Sequence, residues 1–267
     1  MPNSVAASRV SADYVQHATA GGRVAWRDGL RWDQYDAYLF DIDGTLLRDP
    51  GRVHYNAFSK ACLEVLGYPL SLDAVTVAGS TDPRILSDAF AAARIADESW
   101  RPHRPRLLET ICSVVEREAA SMQLTIMPSV VEALRYLAAA GKWLGVATGN
   151  LESVGWLKLE RTGLREHFTF GGFSDAHEQR PEMIEAAAAK ARQLAGRGAS
   201  VIIVGDTPSD IAAAHANKLP VIAVATGHFS FDRLLEDSPE ICAENLGALL
   251  IESECVASSD GAQGEPA

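Results

Sequence analysis

The chain of 267 residues has little positive charge: 24 Lys and Arg stand against 35 Asp and Glu, a formal net charge of −11. That deficit argues against nucleic acid as the main partner, because phosphate backbones need clustered cations. It leaves room for a small phosphorylated metabolite, which a metal and a few local cations can hold. No apolar run reaches the roughly 18 residues of a membrane span, so no membrane partner is expected. No basic stretch followed by an apolar run opens the chain, so it does not read as secreted. Cysteine is scarce: Cys62, Cys112, Cys242 and Cys255 are widely separated and lack metal-type spacing. A reducing, cytoplasmic location follows as the expectation. Neither an internal repeat nor a low-complexity segment interrupts the middle of the chain. The sequence leaves the oligomeric state open between monomer and dimer.

What is present is 47% hydrophobic and 22% charged, enough for a sizeable core. Apolar strand-like runs cover Ala37–Phe40, Trp143–Ala147, Val201–Val204 and Val221–Ala225. Helical patterns lie between them. One starts at Ser129, read as the cap of a capping box with Glu132, and ends at Gly141; another covers Ile211–Ala216. Alternation of this kind predicts an α/β fold, a Rossmann-like parallel sheet with helices on both faces. Residues 49–127 instead keep helical spacing throughout, as in Val53, Ala57, Ala61 and Val65. They predict an inserted all-helical cap, with the core in residues 35–48 and 128–252. Residues 1–34 read as an arm, mobile to about residue 22. A hairpin is then expected over Arg23–Trp32, turning at Asp28-Gly29. Residues 253–267, small and acidic, read as a disordered tail.

Ligands of open parallel sheets bind beyond the carboxyl ends of the strands. Three strands here end there in polar residues: Asp41 and Asp43, then Thr148, then Asp206 and Asp210. Four carboxylates at one edge repel unless a cation neutralises them, and a hard divalent ion such as Mg2+ suits oxygen ligands. The alternative, aspartates that only cap turns, explains any one of them but not the set.

Asp41-Ile42-Asp43-Gly44-Thr45 resembles the first motif of the haloacid dehalogenase-like hydrolase superfamily. Thr148 resembles its second motif, and Gly205-Asp206-Thr207-Pro208-Ser209-Asp210 its acidic fourth. Arg180, before Pro181 and an alanine-rich helix, is the best match to a third motif that is usually Lys. The helical insertion resembles the cap of the phosphoglycolate phosphatase-like branch. The resemblance implies a magnesium-dependent phosphatase acting on a small phosphomonoester through an aspartyl-phosphate. Asp41 would be the nucleophile. Asp43 would be the general acid and base, with a pKa raised by burial or neighbouring carboxylates. Asp41, Asp206 and the Asp43 backbone carbonyl would bind the metal, with Asp210 holding a metal-bound water behind them. Thr148 and Arg180 would bind phosphoryl oxygens, aided by backbone N–H groups near Gly44 and Gly149.

Asn150 has two readings, substrate contact or helix cap. Asp82 reads as the cap of a helix beginning at Pro83. Thr81 and Arg84 beside it, and more weakly His54, are candidate substrate contacts on the cap. Lys158 competes with Arg180 as the site cation, but its helical setting reads as solvent-facing. A phosphomutase shares the same aspartates and is the nearest rival. Dehalogenation is disfavoured because a halide leaving group needs no acid such as Asp43. A non-catalytic binding protein on the same fold would have no use for the whole set.

Overall fold

The computed structural model describes residues 14–251. The sequence-based readings of an arm over residues 1–13 and of a tail over residues 253–267 lie outside the described residues. Strands and helices alternate in the rest of the chain. The strands are β1 (Tyr14–Thr19), β2 (Gly22–Arg27), β3 (Ala37–Phe40), β4 (Leu47–Arg48), β5 (Thr125–Ile126), β6 (Trp143–Ala147), β7 (Phe170–Gly172), β8 (Val201–Gly205), β9 (Val221–Val224) and β10 (Ile241–Ala243). The helices are α1 (Val53–Leu66), α2 (Asp82–Ala92), α3 (Asp97–Trp100), α4 (Arg104–Arg117), α5 (Val130–Ala139), α6 (Glu152–Thr162), α7 (Arg180–Ala195), α8 (Pro208–Ala216) and α9 (Phe231–Glu236).

Eight strands form one sheet in the order β1-β2-β10-β9-β8-β3-β6-β7. The six from β10 to β7 run parallel. The strands that read as continuous apolar runs are the ones buried on both faces. In β3, Tyr38 and Phe40 join one core with Ile202, Val204 and the α5 residues Leu134 and Leu137. Ala37 and Leu39 join the other with Ile203, Met183 and Ile184. The Rossmann-like expectation holds.

The insertion is helical, as its spacing predicts. Phe58, Phe90, Trp100, Leu107 and Ile111 make its own core, with the Phe90 and Trp100 rings stacked 4.5 Å apart. Leu151 and Val154 from the start of α6 share that core, which ties the insertion to the sheet domain. One part of residues 49–127 departs from an all-helical reading. Thr125–Ile126 is strand β5, pairing antiparallel with β4 and closing the neck of the insertion.

Other local readings need correction. The hairpin turns between Thr19 and Gly22, not at Asp28-Gly29, so Tyr14–Thr19 is a strand rather than a mobile arm. Its outer strand has mostly exposed side chains, which left no apolar alternation to read. The second strand docks antiparallel on β10, pairing Trp26, Ala25 and Val24 with Ile241, Cys242 and Ala243. Ser129 is left-handed at φ 59 and its side chain caps nothing, so no capping box forms with Glu132. Thr81, not Asp82, caps α2, its hydroxyl accepting from the Arg84 N–H. Cys62, Cys112 and Cys242 are free thiols, and burial pushes Cys62 and Cys242 up to about 12. No helix among the described residues is long and apolar enough to cross a membrane.

The hairpin generates a test. It covers the open edge of β10, and Val24 is buried. Burying one such side chain contributes about 1.5–3 kcal/mol, and each kcal/mol moves the midpoint of a protein this large by about 2–4 °C. Deleting residues 1–28 should therefore lower the melting temperature by roughly 3 to 12 °C. It should also promote self-association through the bared β10 edge. An unchanged midpoint and a stable monodisperse protein would show that the sheet does not rely on the hairpin.

Candidate active site

The first site residue follows from strand geometry. Asp41 continues the β3 ladder, its N–H donating to the Val204 carbonyl at 2.8 Å, so its side chain stands at the carboxyl edge of the sheet. The chain then turns back, with the Leu46 and Leu47 N–H groups both donating to the Ile42 carbonyl. Gly44 makes that turn at φ 88. A Cβ there would lie 2.3 Å from Asp206 Oδ2, so only glycine admits the close approach. The Gly44 N–H is spent on the Leu47 carbonyl at 2.8 Å and is not available to a substrate. Its place in the site is to make room for Asp206, whose carboxylate accepts from the Thr45 hydroxyl at 2.9 Å.

From the next strand, β8, come Asp206 and, one turn into α8, Asp210. Thr207 and Asp210 form a reciprocal capping box, with Asp210 Oδ2 accepting from both the N–H and the hydroxyl of Thr207. Asp210 Oδ1 accepts from Arg180, which opens α7, and the same Nη2 atom lies 3.0 Å from Asp41 Oδ2. Arg180 is 7% exposed, so its guanidinium is held inside the site rather than in solvent. Thr148, at the end of β6, is fully buried and lines the same cavity as Asp41. The ends of β3, β6 and β8 and the start of α7, four distant segments, therefore meet at one edge.

Carboxylate oxygens of Asp41, Asp206 and Asp210 lie within 4.8 Å of one another, all buried. Burial, opposed by Arg180 and reinforced by Asp210, pushes Asp41 up to about 6. Burial and then the charges of Asp210 and Asp41 push Asp206 well above the carboxylate range. One guanidinium cannot balance three carboxylates, and each close pair costs about 4 kcal/mol at an effective dielectric of about 20. Asp210 has both oxygens engaged, whereas Asp41 and Asp206 keep free lone pairs. This donor set fits a hard divalent cation.

Asp43 belongs to a different network. Its carboxylate accepts from Lys158 at 2.6 Å and from Asn150 at 2.9 Å. Burial pushes its pKa up, but the charges of Lys158 and then His54, with hydrogen bonds from Lys158 and Asn150, hold it below the ordinary value. This reverses the expectation of a raised pKa. Lys158 is 1% exposed and donates also to Asn150 Oδ1 at 2.7 Å, so it does not face solvent. Its Nζ lies 3.2 Å from His54 Nδ1, and His54 Nε2 lies 3.1 Å from Asp82. The signal that finds Lys158 is its spacing. Val154, Gly155, Lys158 and Leu159 form the buried stripe of α6, and a lysine on such a stripe must be paired.

Asn150 donates to Thr148 Oγ1 at 2.7 Å as well, and Leu151 is the residue at the cap of α6, so Asn150 links site groups rather than capping. The cap docks over the site through both the backbone and the side chain of Asp82. The Asp82 N–H donates to the Gly149 carbonyl and Asp82 Oδ2 accepts from the Leu151 N–H, both at 2.8 Å. A Cβ on Gly149 would stand 2.1 Å from the Ser80 carbonyl oxygen. Asp41, Asp43, Gly149, Asn150 and Arg180 all line one cavity of about 700 Å3. The structure does not bring Thr81 and Arg84 to it. The Thr81 hydroxyl donates to the Glu178 carbonyl beneath the cap, and Arg84 pairs with Asp88 at 2.8 Å. His54 does reach the cavity, as do Thr226 and Gly227, which sequence patterns did not mark.

A family model described as haloacid dehalogenase-like hydrolase matches residues 38–224. The chain belongs to this family. It is 29% identical over 197 residues to a phosphoglycolate phosphatase of Rhodospirillum rubrum, covering 72% of this chain and 80% of that one. Among solved structures, a hydrolase from Pseudomonas syringae superposes with a TM-score of 0.60 at 22% identity, over 82% of this chain and 97% of the other. A Thermotoga maritima protein assigned as a β-phosphoglucomutase gives 0.52 at 20% identity, over 82% and 99%. At these identities the solved structures speak to the fold alone.

The Lys158 network yields a test that needs no substrate. In Lys158→Met the side-chain volume is kept and the charge removed. The Asp43 pKa, followed by carboxyl NMR, should rise because burial then acts with less opposition. The folded-state pKa of Asp43 lies below its unfolded value, so the pair contributes stability above the unfolded pKa that is lost as pH falls. Lys158→Met should lose that contribution and flatten the acid side of the melting curve. An unmoved Asp43 titration would remove Lys158 from its control.

Proposed function

We propose that this protein is a magnesium-dependent phosphatase that hydrolyses a small phosphomonoester through an aspartyl-phosphate on Asp41. The observation that carries the reading is the meeting of Asp41, Thr148, Arg180 and Asp206 at one edge of the cavity. Asp41 attacks phosphorus, and splitting the displacement into two steps lowers each barrier. Thr148 and Arg180 donate to phosphoryl oxygens, Arg180 with a fork suited to them. Asp41, Asp206 and the Asp43 backbone carbonyl would hold Mg2+, which supplies charge neutralisation at the phosphoryl oxygens. Asp210 acts through its contacts with Arg180 and Thr207, keeping both the guanidinium and the strand end in place.

Asp43 supplies the proton for the leaving oxygen and then takes one from water. Held ionised by Lys158, it is ready for the second task. For the first, an incoming phosphate dianion opposes the charge of Lys158 and raises the proton affinity of Asp43. Asn150 and Lys158 fix its direction. The docked cap keeps bulk water from the intermediate. The R. rubrum relative supports a phosphorylated metabolite as substrate, and the free buried thiols suit a reducing cytoplasm.

Phosphate release from a panel of phosphorylated metabolites tests the reading. Magnesium-dependent release should vanish in Asp41→Asn while the melting temperature stays equal or rises, since a destabilised buried charge is lost. Conversion of a sugar phosphate to its isomer without free phosphate would assign a phosphomutase instead. Turnover surviving in Asp41→Asn would exclude Asp41 as nucleophile.

The pKa shifts give a second prediction. Asp41 lies at about 6 against an ordinary 3.8, so its protonation favours the folded metal-free protein at low pH, and that contribution is lost as pH rises between those values. Asp206 acts in the same direction. Metal-free protein should therefore lose thermal stability over this window. Magnesium, which binds the ionised site, should restore it, with a larger thermal shift at about pH 7.5 than at about pH 5. An equal shift at both would place the ion elsewhere.

A further inference from the structure

We infer that Thr226 and Gly227, in the turn that follows β9, are positioning residues for the metal site. They hold the Asp43 carbonyl and the Asp206 carboxylate in the arrangement a divalent cation needs. The inference rests on the reading of those two groups as magnesium ligands, and it adds to the site a segment that none of its motifs contains.

The sheet order puts β8 between β9 and β3. Asp206 follows β8 directly, so it stands between the turn after β9 and the turn after β3. Those two outer turns are joined to each other. The Thr226 hydroxyl donates to the Gly44 carbonyl at 2.6 Å, a bond that runs from the end of β9 to the loop beyond β3. Asp206 is enclosed by this bridge between its neighbours. A Cβ on Gly44 would lie 2.3 Å from Asp206 Oδ2, and one on Gly227 would lie 1.7 Å from the same atom. Gly227 is exposed and outside the left-handed region, so neither core packing nor backbone conformation demands glycine there. At the exposed turns of Gly67, Gly141 and Gly163, by contrast, a Cβ would meet nothing within 4 Å. What Gly227 makes room for is the Asp206 carboxylate.

The bridge also fixes the backbone. The Asp43 carbonyl and the Gly44 N–H belong to one peptide plane. That N–H donates to the Leu47 carbonyl, and the Gly44 carbonyl accepts from Thr226, so the peptides on both sides of Gly44 are pinned. At φ 88 Gly44 has backbone freedom to lose, and the Leu47 bond alone leaves its second peptide free to turn. Thr226 removes that freedom. Thr45, the next residue, holds Asp206 Oδ1 at 2.9 Å, so the same bridge sets the direction of both metal-facing groups. Partners that touch the ligands rather than the metal typically change its affinity by about ten- to a hundredfold.

Magnesium binding tests this without turnover. Thr226→Val keeps the shape and removes the hydroxyl, whereas Thr226→Ser keeps the hydroxyl. Titration calorimetry, at a temperature where every protein is folded, should show Thr226→Val binding magnesium about tenfold more weakly than wild type. Thr226→Ser should bind it as wild type does. Gly227→Ala should weaken binding further, because its methyl displaces Asp206, and it decides the matter if Thr226→Val does not fold. In turnover, the Thr226→Val deficit should be largest at low magnesium and recover as magnesium is raised, with KM for the phosphomonoester unchanged at saturation. A Thr226→Val protein that melts lower yet keeps wild-type magnesium affinity would make the bond a purely structural one and overturn the inference. Equal weakening in Thr226→Val and Thr226→Ser, or unchanged affinity in Gly227→Ala, would overturn it as well. Each of these leaves the magnesium reading standing, because wild type still binds. A wild type that binds no magnesium would overturn that reading and the inference together.

Discussion

Arg180, buried between Asp41 and Asp210, is the contact on which the site depends. It joins the first residue beyond β3 to the first turn of α8 from the first residue of α7. None of these segments is near another in sequence. A buried ion pair gains little net stability over an apolar substitute, because desolvation offsets the attraction. Its value here is placement. The apolar strands β3 and β8 supply the stability, and the charges sit where those strands stop. One guanidinium leaves the three carboxylates with excess negative charge, and that excess is what would draw a divalent cation.

Two aspartates only two residues apart are thereby given different electrostatic surroundings. Asp41 sits among carboxylates and is pushed up to about 6. Asp43 looks the other way, toward Lys158 and His54, and is held low. Neighbouring acids driven apart in this way suit different tasks. The second environment also spans the two parts of the molecule. His54 and Asp82 come from the cap, while Asp43, Asn150 and Lys158 come from the core. The position of the cap and the charge state of Asp43 are therefore physically linked.

The sheet was legible because its strands are buried on both faces and so read as unbroken apolar runs. The acids at their ends were legible for the same reason, since nothing else stops four apolar residues so abruptly. Arg180 could be placed by its motif. Lys158 was misread because a lone lysine in a helix is usually solvated, and its partner Asp43 lies more than a hundred residues away in sequence. Thr81 caps α2 and Arg84 lies in its first turn, but the Thr81 hydroxyl is taken by the Glu178 carbonyl and Arg84 by Asp88, so neither side chain enters the cavity. Tyr14–Thr19 escaped notice because an edge strand with both faces largely exposed carries no hydrophobic period. Side-chain networks between docked parts are fixed by tertiary geometry, and a linear pattern does not carry them.

A nucleophilic Asp41 must become covalently phosphorylated during turnover, and one measurement addresses that directly. Protein mixed with a turned-over phosphomonoester is quenched in acid within milliseconds, digested, and its peptides weighed. With a phosphomonoester whose leaving group needs no protonation, Asp43→Asn should slow chiefly the second step and help the intermediate accumulate. One phosphoryl group is expected on the peptide carrying Asp41 and no other, labile to base as an acyl phosphate is. Turnover with no phosphorylated peptide at any quench time, or a phosphoryl group on another residue, would contradict it.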